Sequence, residues 1–522
     1  MKKSGFYLLL LLPLLSYAIT APVITTRFNA NKVTLDFAPV NEAIAYKLYF
    51  APNLTLCAPL ENCIIDLKTE TSFSYDLSLN EFYAIAVASI AADATEGLSN
   101  IEIISLNQNQ LGGESTIIRN NFNAANPIPN LSTETLARHE IGKTFFNRIF
   151  DASTGLGPLY NQSSCQSCHI NGGRGRPSNP DNDSGNTVIR ITIPSTDESA
   201  PFFAEQLADK TTDPAIPAHA QISVNYVEST FRFDDGAEGR TEYSVQIPNY
   251  TITPYRFLST STRLSARMPP AIFGMGLLAA VDEAEILKNE DPDDTKTKDN
   301  ISGRANYINN SAGQNQVARF GLKANALTLS DQISADLHQS MGITLSETNP
   351  TELNNLNLYI QTLAVPSRDT SLNPEMIKKG EIHFTLAGCA ACHIPTLKTG
   401  IVNNFPALSN QIIHPYSDLL LHDMGTPLGD NRPDFLATGN EWRTPPLWGI
   451  GLAERIAGGV AFYLHDGRAR NITEAIMWHG GEALNAKNYF KGTTSSDING
   501  NPILNGLNDQ SRAELIEFIK SL

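Results

Sequence analysis

The chain has 522 residues, of which 41% are hydrophobic and 18% charged, and a formal net charge of −16 at pH 7. That length implies several domains, and the surplus of acid argues against nucleic acid and anionic membrane surfaces as partners. It suits a basic electron-transfer partner or a small uncharged substrate, and charge alone does not choose between them.

In chain order, Lys2 and Lys3 precede an apolar run from Phe6 to Leu15, and Ser16-Tyr17-Ala18 supplies small residues where a signal peptidase cuts, so residues 1–18 are expected to be a signal peptide. The run is too short to span a membrane. The mature chain is therefore expected to be periplasmic or secreted, with no membrane span. Residues 19–105 read as short alternating strands: Val23-Ile24-Thr25, Val33 to Phe37, Ala45 to Phe50, Phe82 to Val87 and Glu102-Ile103-Ile104. Runs of period two, broken by Asn, Pro and Gly, predict an all-β sandwich. The Tyr-x-Leu-Tyr strand, the later Tyr-x-Ile-x-Val strand and Glu96 to Asn100 resemble a fibronectin type III domain. Cys57 and Cys63 are expected to pair locally in an oxidising compartment.

Residues 106–130, rich in Asn, are expected to be a linker. Ser132 to Phe150 has helical periodicity, with Ser132 as N-cap and Leu136, Ile141, Phe145, Phe146 and Ile149 predicted along one face. Next comes Cys165-Gln-Ser-Cys168-His169, and a second helix from Met376 to Phe384 leads to Cys389-Ala-Ala-Cys392-His393. Each string is a c-type haem attachment signature: two thiols add to the vinyl groups of one porphyrin, and the adjoining histidine binds its iron. A disulfide-exchange motif or half of a zinc site does not call for that histidine, twice. Two covalently bound c-type haems are therefore expected. Amphipathic helices close each part, Leu353 to Leu363 and Leu515 to Leu522, so residues 131–370 and 371–522 read as two mainly α-helical, cytochrome c-like lobes behind the sandwich.

Between these landmarks the chain repeats itself. Arg267-Met-Pro-Pro270-Ala-Ile-Phe-Gly274-Met-Gly276-Leu277 matches Arg443-Thr-Pro-Pro446-Leu-Trp448-Gly449-Ile-Gly451-Leu452. The prolines would stiffen backbone against a haem edge, and Arg267 and Arg443, like Arg174 and Arg176 after the first motif, would pair with haem propionates. An exposed arginine on a structural turn is the plainer alternative for each. The echo suggests that Trp448 lies near the interface between lobes.

These residues, with Gly155 to Asn161, Ile301 to Arg304, Arg319 to Ala324, Leu420 to Gly425 and Leu464-His465-Asp466-Gly467-Arg468 through Gly480-Gly481, resemble the bacterial di-haem cytochrome c peroxidase and MauG superfamily over roughly residues 131 to 522. The resemblance is strongest to the di-haem oxidoreductase branch, whose members carry the names peroxidase and thiol oxidoreductase. It implies a peroxidase: one haem with an open position for hydrogen peroxide, held by His169, and one six-coordinate relay haem, held by His393. It also implies His465 as a haem contact. An electron-donor protein, a small cytochrome or cupredoxin, or else a protein substrate, would be the partner. The offset at which relatives place the relay haem's distal ligand falls here on His479, on a short helix with Asn471 and Glu474 as capping pair and Gly480-Gly481 at its end. Met424 and His422 are the next candidates, and a helix-stabilising histidine is the other reading.

No ligand motif marks the far side of the first haem, which suits an open iron. A peroxidatic site needs an acid or amide there to carry a proton, and Glu205, Gln206, Glu228 and Glu238 are the candidates, each of which could equally be an ordinary surface residue. Asp291 to Asp299 offers clustered carboxylates that could hold calcium, although Lys296 and Lys298 interrupt them. The competing functions are a periplasmic electron carrier without substrate chemistry, and a haem-bearing sensor module docked through the sandwich.

Overall fold

A computed structural model describes residues 22, 24–29, 32–52, 64–76, 82–92, 96–98, 102–105, 110–119, 122–177, 185–192, 205–233, 242–256, 258–344, 346, 348–402, 405–496 and 502–522. The expected signal peptide and the Cys57/Cys63 pair lie outside them. The chain divides into two units, residues 1–108 and 109–522.

In the first unit, β1 (Ile24–Asn29), β2 (Lys32–Phe37) and β5 (Ser72–Asp76) form one antiparallel sheet. The other contains β3 (Ala45–Pro52), β4 (Ile64–Lys68), β6 (Phe82–Ile90), β7 (Glu96–Leu98) and β8 (Glu102–Ser105). Strands form at all five expected places among the described residues, the first from Ile24, and β4, β5 and β7 join them. Inward-facing Phe37, Tyr46, Leu48, Leu67 and Val87 make its core, and the Tyr46 hydroxyl accepts the Val40 N–H at 2.8 Å.

The second unit departs from expectation at its start. Residues 110–130 are not a free linker: Thr116–Ile117 pairs in parallel with Val365–Pro366, and buried Arg119 donates to the carbonyls of Lys520, Ser521 and Leu522 at the chain's end. Such donors satisfy the open carbonyls of a terminal helical turn.

The helices that position the sites are α1 (Thr133–Asn147), α2 (Cys165–Cys168), α3 (Leu329–Met341), α4 (Pro350–Gln361), α5 (Pro374–Leu386), α6 (Ile472–Trp478) and α7 (Asp509–Ser521). Ser132 caps α1 as expected, but the buried face holds His139, Gly142, Phe145 and Phe146, while Leu136 and Ile141 are exposed and Ile149 lies beyond the helix. The reason is Gly142. A Cβ there would stand 2.0 Å from the Asn355 carbonyl oxygen on α4, so α1 and α4 cross with backbone nearly touching. Helices α5 and α7 repeat this, with a Gly380 Cβ falling 2.0 Å from the Glu514 carbonyl oxygen. One turn after each glycine an aromatic ring meets the closing helix: Phe146 lies 5.4 Å from Tyr359, and Phe384 5.3 Å from Phe518.

The echoed segments face each other across this frame. Trp448 packs where a Gly274 side chain would be, and Phe273 packs on Gly449; either added Cβ would meet the opposing ring at 2.5 Å. Trp448 thus stands at the seam between the two halves.

The first half is less helical than expected. It carries a long antiparallel hairpin, β9 (Ala220–Arg232) and β10 (Glu242–Pro254), paired from Ala220↔Pro254 to Arg232↔Glu242. Thirteen residues per strand extend roughly 40 Å. A sheet of Val188–Thr192, Gln206–Leu207 and Arg263–Arg267 lies at its root, where Ile189, Leu207 and Ala220 share a core. No helix among the described residues is long and apolar enough to cross a membrane.

Candidate functional site

Helix α2 is a single turn whose N-cap, Ser164, accepts the Ser167 N–H at 3.1 Å. That turn sets Cys165 and Cys168 on neighbouring positions and delivers His169 at its C-cap. His169 Nδ1 lies 2.8 Å from the Pro270 carbonyl, which belongs to the echoed segment. A carbonyl can only accept, so the ring proton is on Nδ1 and the Nε2 lone pair is available. His393 repeats the geometry, with Nδ1 2.8 Å from the Tyr416 carbonyl, and His479 does so with the Ala475 carbonyl at 2.7 Å. Burial lowers the pKa of all three, to about 4 at His393, so each is a neutral imidazole at pH 7. Three histidines are therefore held in the tautomer that offers Nε2 to a metal.

Their surroundings fit a bulky, largely apolar group. Cys165, Cys389, Cys392, His169, His393 and His479 keep part of their surface open, yet burial dominates their titration and pushes the Cys165 and Cys389 thiols up to about 12. Phe146 and Phe384 stand behind the two motif histidines, each 6.3 Å from its ring. Two thiols, a fixed imidazole and an apolar wall are the donor set that a covalently attached haem requires, and the chain supplies it twice.

The sites differ in what faces each histidine. At His393 a second histidine is near enough to act: His479 contributes to lowering its pKa. His479 sits at the C-cap of α6 in extended conformation, one step past the helix on which it was expected. The capping pair also differs. Asn471 accepts the Glu474 N–H at 2.9 Å, but the Glu474 carboxylate turns to the Arg470 N–H at 2.8 Å and the Gln246 N–H at 2.5 Å. At His169 the interacting group is Asp336 of α3, which raises the histidine's pKa against the larger effect of burial. Burial raises the Asp336 pKa, against Gln332, His169 and Arg190, which lower it. Asp336 was not anticipated. It is exposed, between buried Ile333 and Leu337, and accepts from Gln332 at 2.9 Å, so nothing in the helix's apolar pattern marked it.

His422 does not hold a metal. Its Nε2 lies 2.8 Å from Asp418 and its Nδ1 2.8 Å from Glu482, so both nitrogens donate. Burial lowers its pKa, but Cys392 and Asp418 overcome that and hold it well above the ordinary value.

Among the expected acids, Glu205 is exposed and bound to Arg190 at 3.0 Å. Buried Gln206 donates to Asn161 at 2.8 Å and Ser340 at 3.0 Å. Glu228 stands on the hairpin, tied to Arg470 and Ser244 rather than to the His169 group. Glu238 lies outside the described residues. The arginines are engaged by the chain itself. Arg267 pairs with Asp434, which takes the charge expected to meet a propionate; Arg443 donates to the Gly321 and Thr444 carbonyls. Arg174 reaches the Phe462 and Leu464 carbonyls, and Arg176 that of Ala457. His465 stacks on Trp442, with centroids 3.9 Å apart. The acidic loop offers calcium no open set of oxygens, because Asp291 accepts the N–H groups of Thr295, Lys296 and Thr297, and Asp294 those of Asp299 and Asn300.

Comparison with known families places this arrangement. The family described as "Di-haem oxidoreductase, putative peroxidase" matches residues 106–199, 211–352 and 346–522. The chain belongs to that family. Its members' description as di-haem oxidoreductases agrees with two sites of matching donor sets. No curated protein matches the sequence significantly. Among solved structures, a Kuenenia stuttgartiensis hydrazine synthase is similar over 77% of this chain and 95% of its own, at 14% identity and a TM-score of 0.30. A myokine structure covers 17% of this chain and 97% of its own, at 18% identity and TM-score 0.15. The FN5 domain of Drosophila Lar covers 17% and 95%, at 14% and 0.13.

Proposed function

We propose that the protein is a secreted c-type di-haem oxidoreductase that reduces hydrogen peroxide at the His169 site and draws electrons through the His393 site. What supports this reading is that His169, His393 and His479 each have Nδ1 fixed on a backbone carbonyl, with the field of His479 acting on His393 and that of Asp336 on His169. A haem bound at each place would supply the iron that binds and reduces peroxide at one site and exchanges single electrons at the other.

The chain's own groups divide the remaining work. Cys165 and Cys168, and Cys389 and Cys392, would form the thioethers that hold the two haems. Nε2 of His169 would hold the first haem's iron alone, whereas Nε2 of His393 and of His479 would together hold the second haem's iron and close it to small ligands. Asp336 would carry the proton that the departing peroxide oxygen needs. Trp448, between the halves on Gly274, lies on the route for electrons. An acidic surface suits a basic electron-donor protein.

Cyanide titration of the full two-haem protein tests this. Saturation at one haem in the parent and at two haems in His479→Ala is expected. Two low-spin haems that bind no cyanide in any redox state would leave an electron carrier and overturn the peroxidase reading.

A further inference from the structure

Helix α6, which carries His479, is short, and much of what fixes it comes from the other half of the molecule. The β9–β10 hairpin is rooted beside the first site, where the Ala208 N–H reaches His219 Nδ1 at 3.0 Å and Leu207 and Ala220 share a core. From there it runs over the second half. Tyr250 donates to Asp466 at 3.3 Å. The Tyr243 hydroxyl donates at 2.6 Å to Asn471, the N-cap of α6. Arg470 pairs with Glu228 of β9 at 3.0 Å. Near the tip, the Phe233 ring lies 4.7 Å below the Arg512 guanidinium and 5.9 Å from Phe490.

At the centre of these contacts is Glu474, whose side chain is fully buried. One carboxylate oxygen accepts the Gln246 N–H of β10 and the other accepts from Arg470. A buried carboxylate with these partners is costly to displace, so the first turn of α6 cannot shift without breaking bonds to the hairpin. The donor is backbone that the hairpin does not need. Pro248 and Pro254 share Gln246's parity on β10, and proline tolerates only positions whose N–H points away from the ladder.

We propose that the β9–β10 hairpin is the positioning element for His479: through the Gln246 N–H to Glu474 bond, the first half of the chain holds the second haem's distal ligand at its iron. This rests on His479 being that ligand. Gln246 and Glu474 are positioning residues and touch no reacting atom.

The test uses the full-length two-haem protein and reads cyanide affinity at each haem optically, beside haem content. Gln246→Pro removes the N–H and keeps the ladder, while Gln246→Ala keeps the N–H and removes the side chain. Gln246→Pro is expected to raise the second haem's cyanide affinity about tenfold, the scale of one lost hydrogen bond to a charged group, with two haems attached and the His169 haem unchanged. Gln246→Ala is expected to behave as the parent. Tyr243→Phe, which frees the N-cap, should move the second haem in the same direction as Gln246→Pro. If His479→Ala opens the second haem but Gln246→Pro does not, the positioning role is refuted. If Gln246→Pro and Gln246→Ala open it equally, the side chain matters and not the N–H, which also refutes it. If His479→Ala leaves the second haem closed, the ligand assignment fails and the positioning role with it.

Discussion

Replacing Gly142 by Ala should damage the first site selectively, and replacing Gly380 the second. At each position a Cβ would stand 2.0 Å from a backbone oxygen of the closing helix, Asn355 or Glu514. Ordinary contact needs more than 3 Å, so each helix pair must open by about 1 Å, and overpacking of this kind costs about 1–3 kcal/mol. Alanine returns up to about 1 kcal/mol of helix propensity, leaving a net loss near 1–2 kcal/mol. For a unit of this size that lowers the melting temperature by a few degrees at most, roughly 2 °C per kcal/mol. The optical consequence is more telling. Phe146 and Phe384 follow their glycines by one turn and back onto His169 and His393 at 6.3 Å, so the wall behind one histidine moves while the other stays. Calorimetry with haem-resolved absorption checks this. An unchanged melt, or a shift in the second haem's bands from Gly142→Ala, would refute the reasoning.

Two further outcomes follow from the charges. Asp336→Asn should lower peroxide turnover by about 10²- to 10⁴-fold, the usual worth of a positioned acid or base, with haem content and the second haem's potential unmoved; undiminished turnover would place the proton carrier elsewhere. His422→Phe leaves Asp418 and Glu482 without their shared partner and should destabilise by about 3–5 kcal/mol. The pH dependence has a defined sign. His422's folded pKa is raised above 6.5, so its contribution is full below that value and lost as pH rises through the folded pKa. Glu482's is lowered from 4.5, so its contribution is present above that value and lost as pH falls through the folded pKa. Melting curves should show the largest gap between parent and variant between those limits, and a gap that widens steadily with alkalinity would contradict the pairing.

The attachment strings, the flanking helices and the echoed segments were legible because each is a local pattern with its own spacing. The strands of residues 19–105 were legible for the same reason. What escaped was decided by partners distant in sequence. Gly142 sets the face of α1 through Asn355, so the apolar pattern led to Leu136 and Ile141, which are exposed. Asn-rich residues 110–130 read as a linker because nothing local shows that Arg119 meets the chain's last carbonyls. The hairpin was missed although Ala220, Ile222, Val224 and Tyr226 alternate with polar residues, because the alternation breaks at Val227-Glu228 and Pro248 and Pro254 interrupt the partner strand. His422 shows the limit most clearly: a histidine beside Asp423 and Met424 resembles a ligand until Asp418 and Glu482 are seen to occupy both nitrogens.

The duplicated frame and the unequal sites arise at different levels of the structure. Glycine crossings, aromatic closures and reciprocal seam contacts recur in both halves because they hold helices together, and any attached haem needs them. The divergence lies in what approaches each iron position. Site one meets Asp336 from its own helix α3, between α2 and the closing helix of the same half. Site two meets His479 from α6, whose first turn is tied to a strand of the other half. The proximal carbonyls diverge as well. Pro270 is rigid by its own ring, whereas Tyr416 sits at φ +53° with its hydroxyl held by Arg368 at 2.6 Å and Glu381 at 3.0 Å. A backbone conformation that costs energy persists only where its surroundings enforce it. The proposed difference between an open and a closed site therefore has its structural counterpart in α6, whose first turn is tied to a strand of the other half.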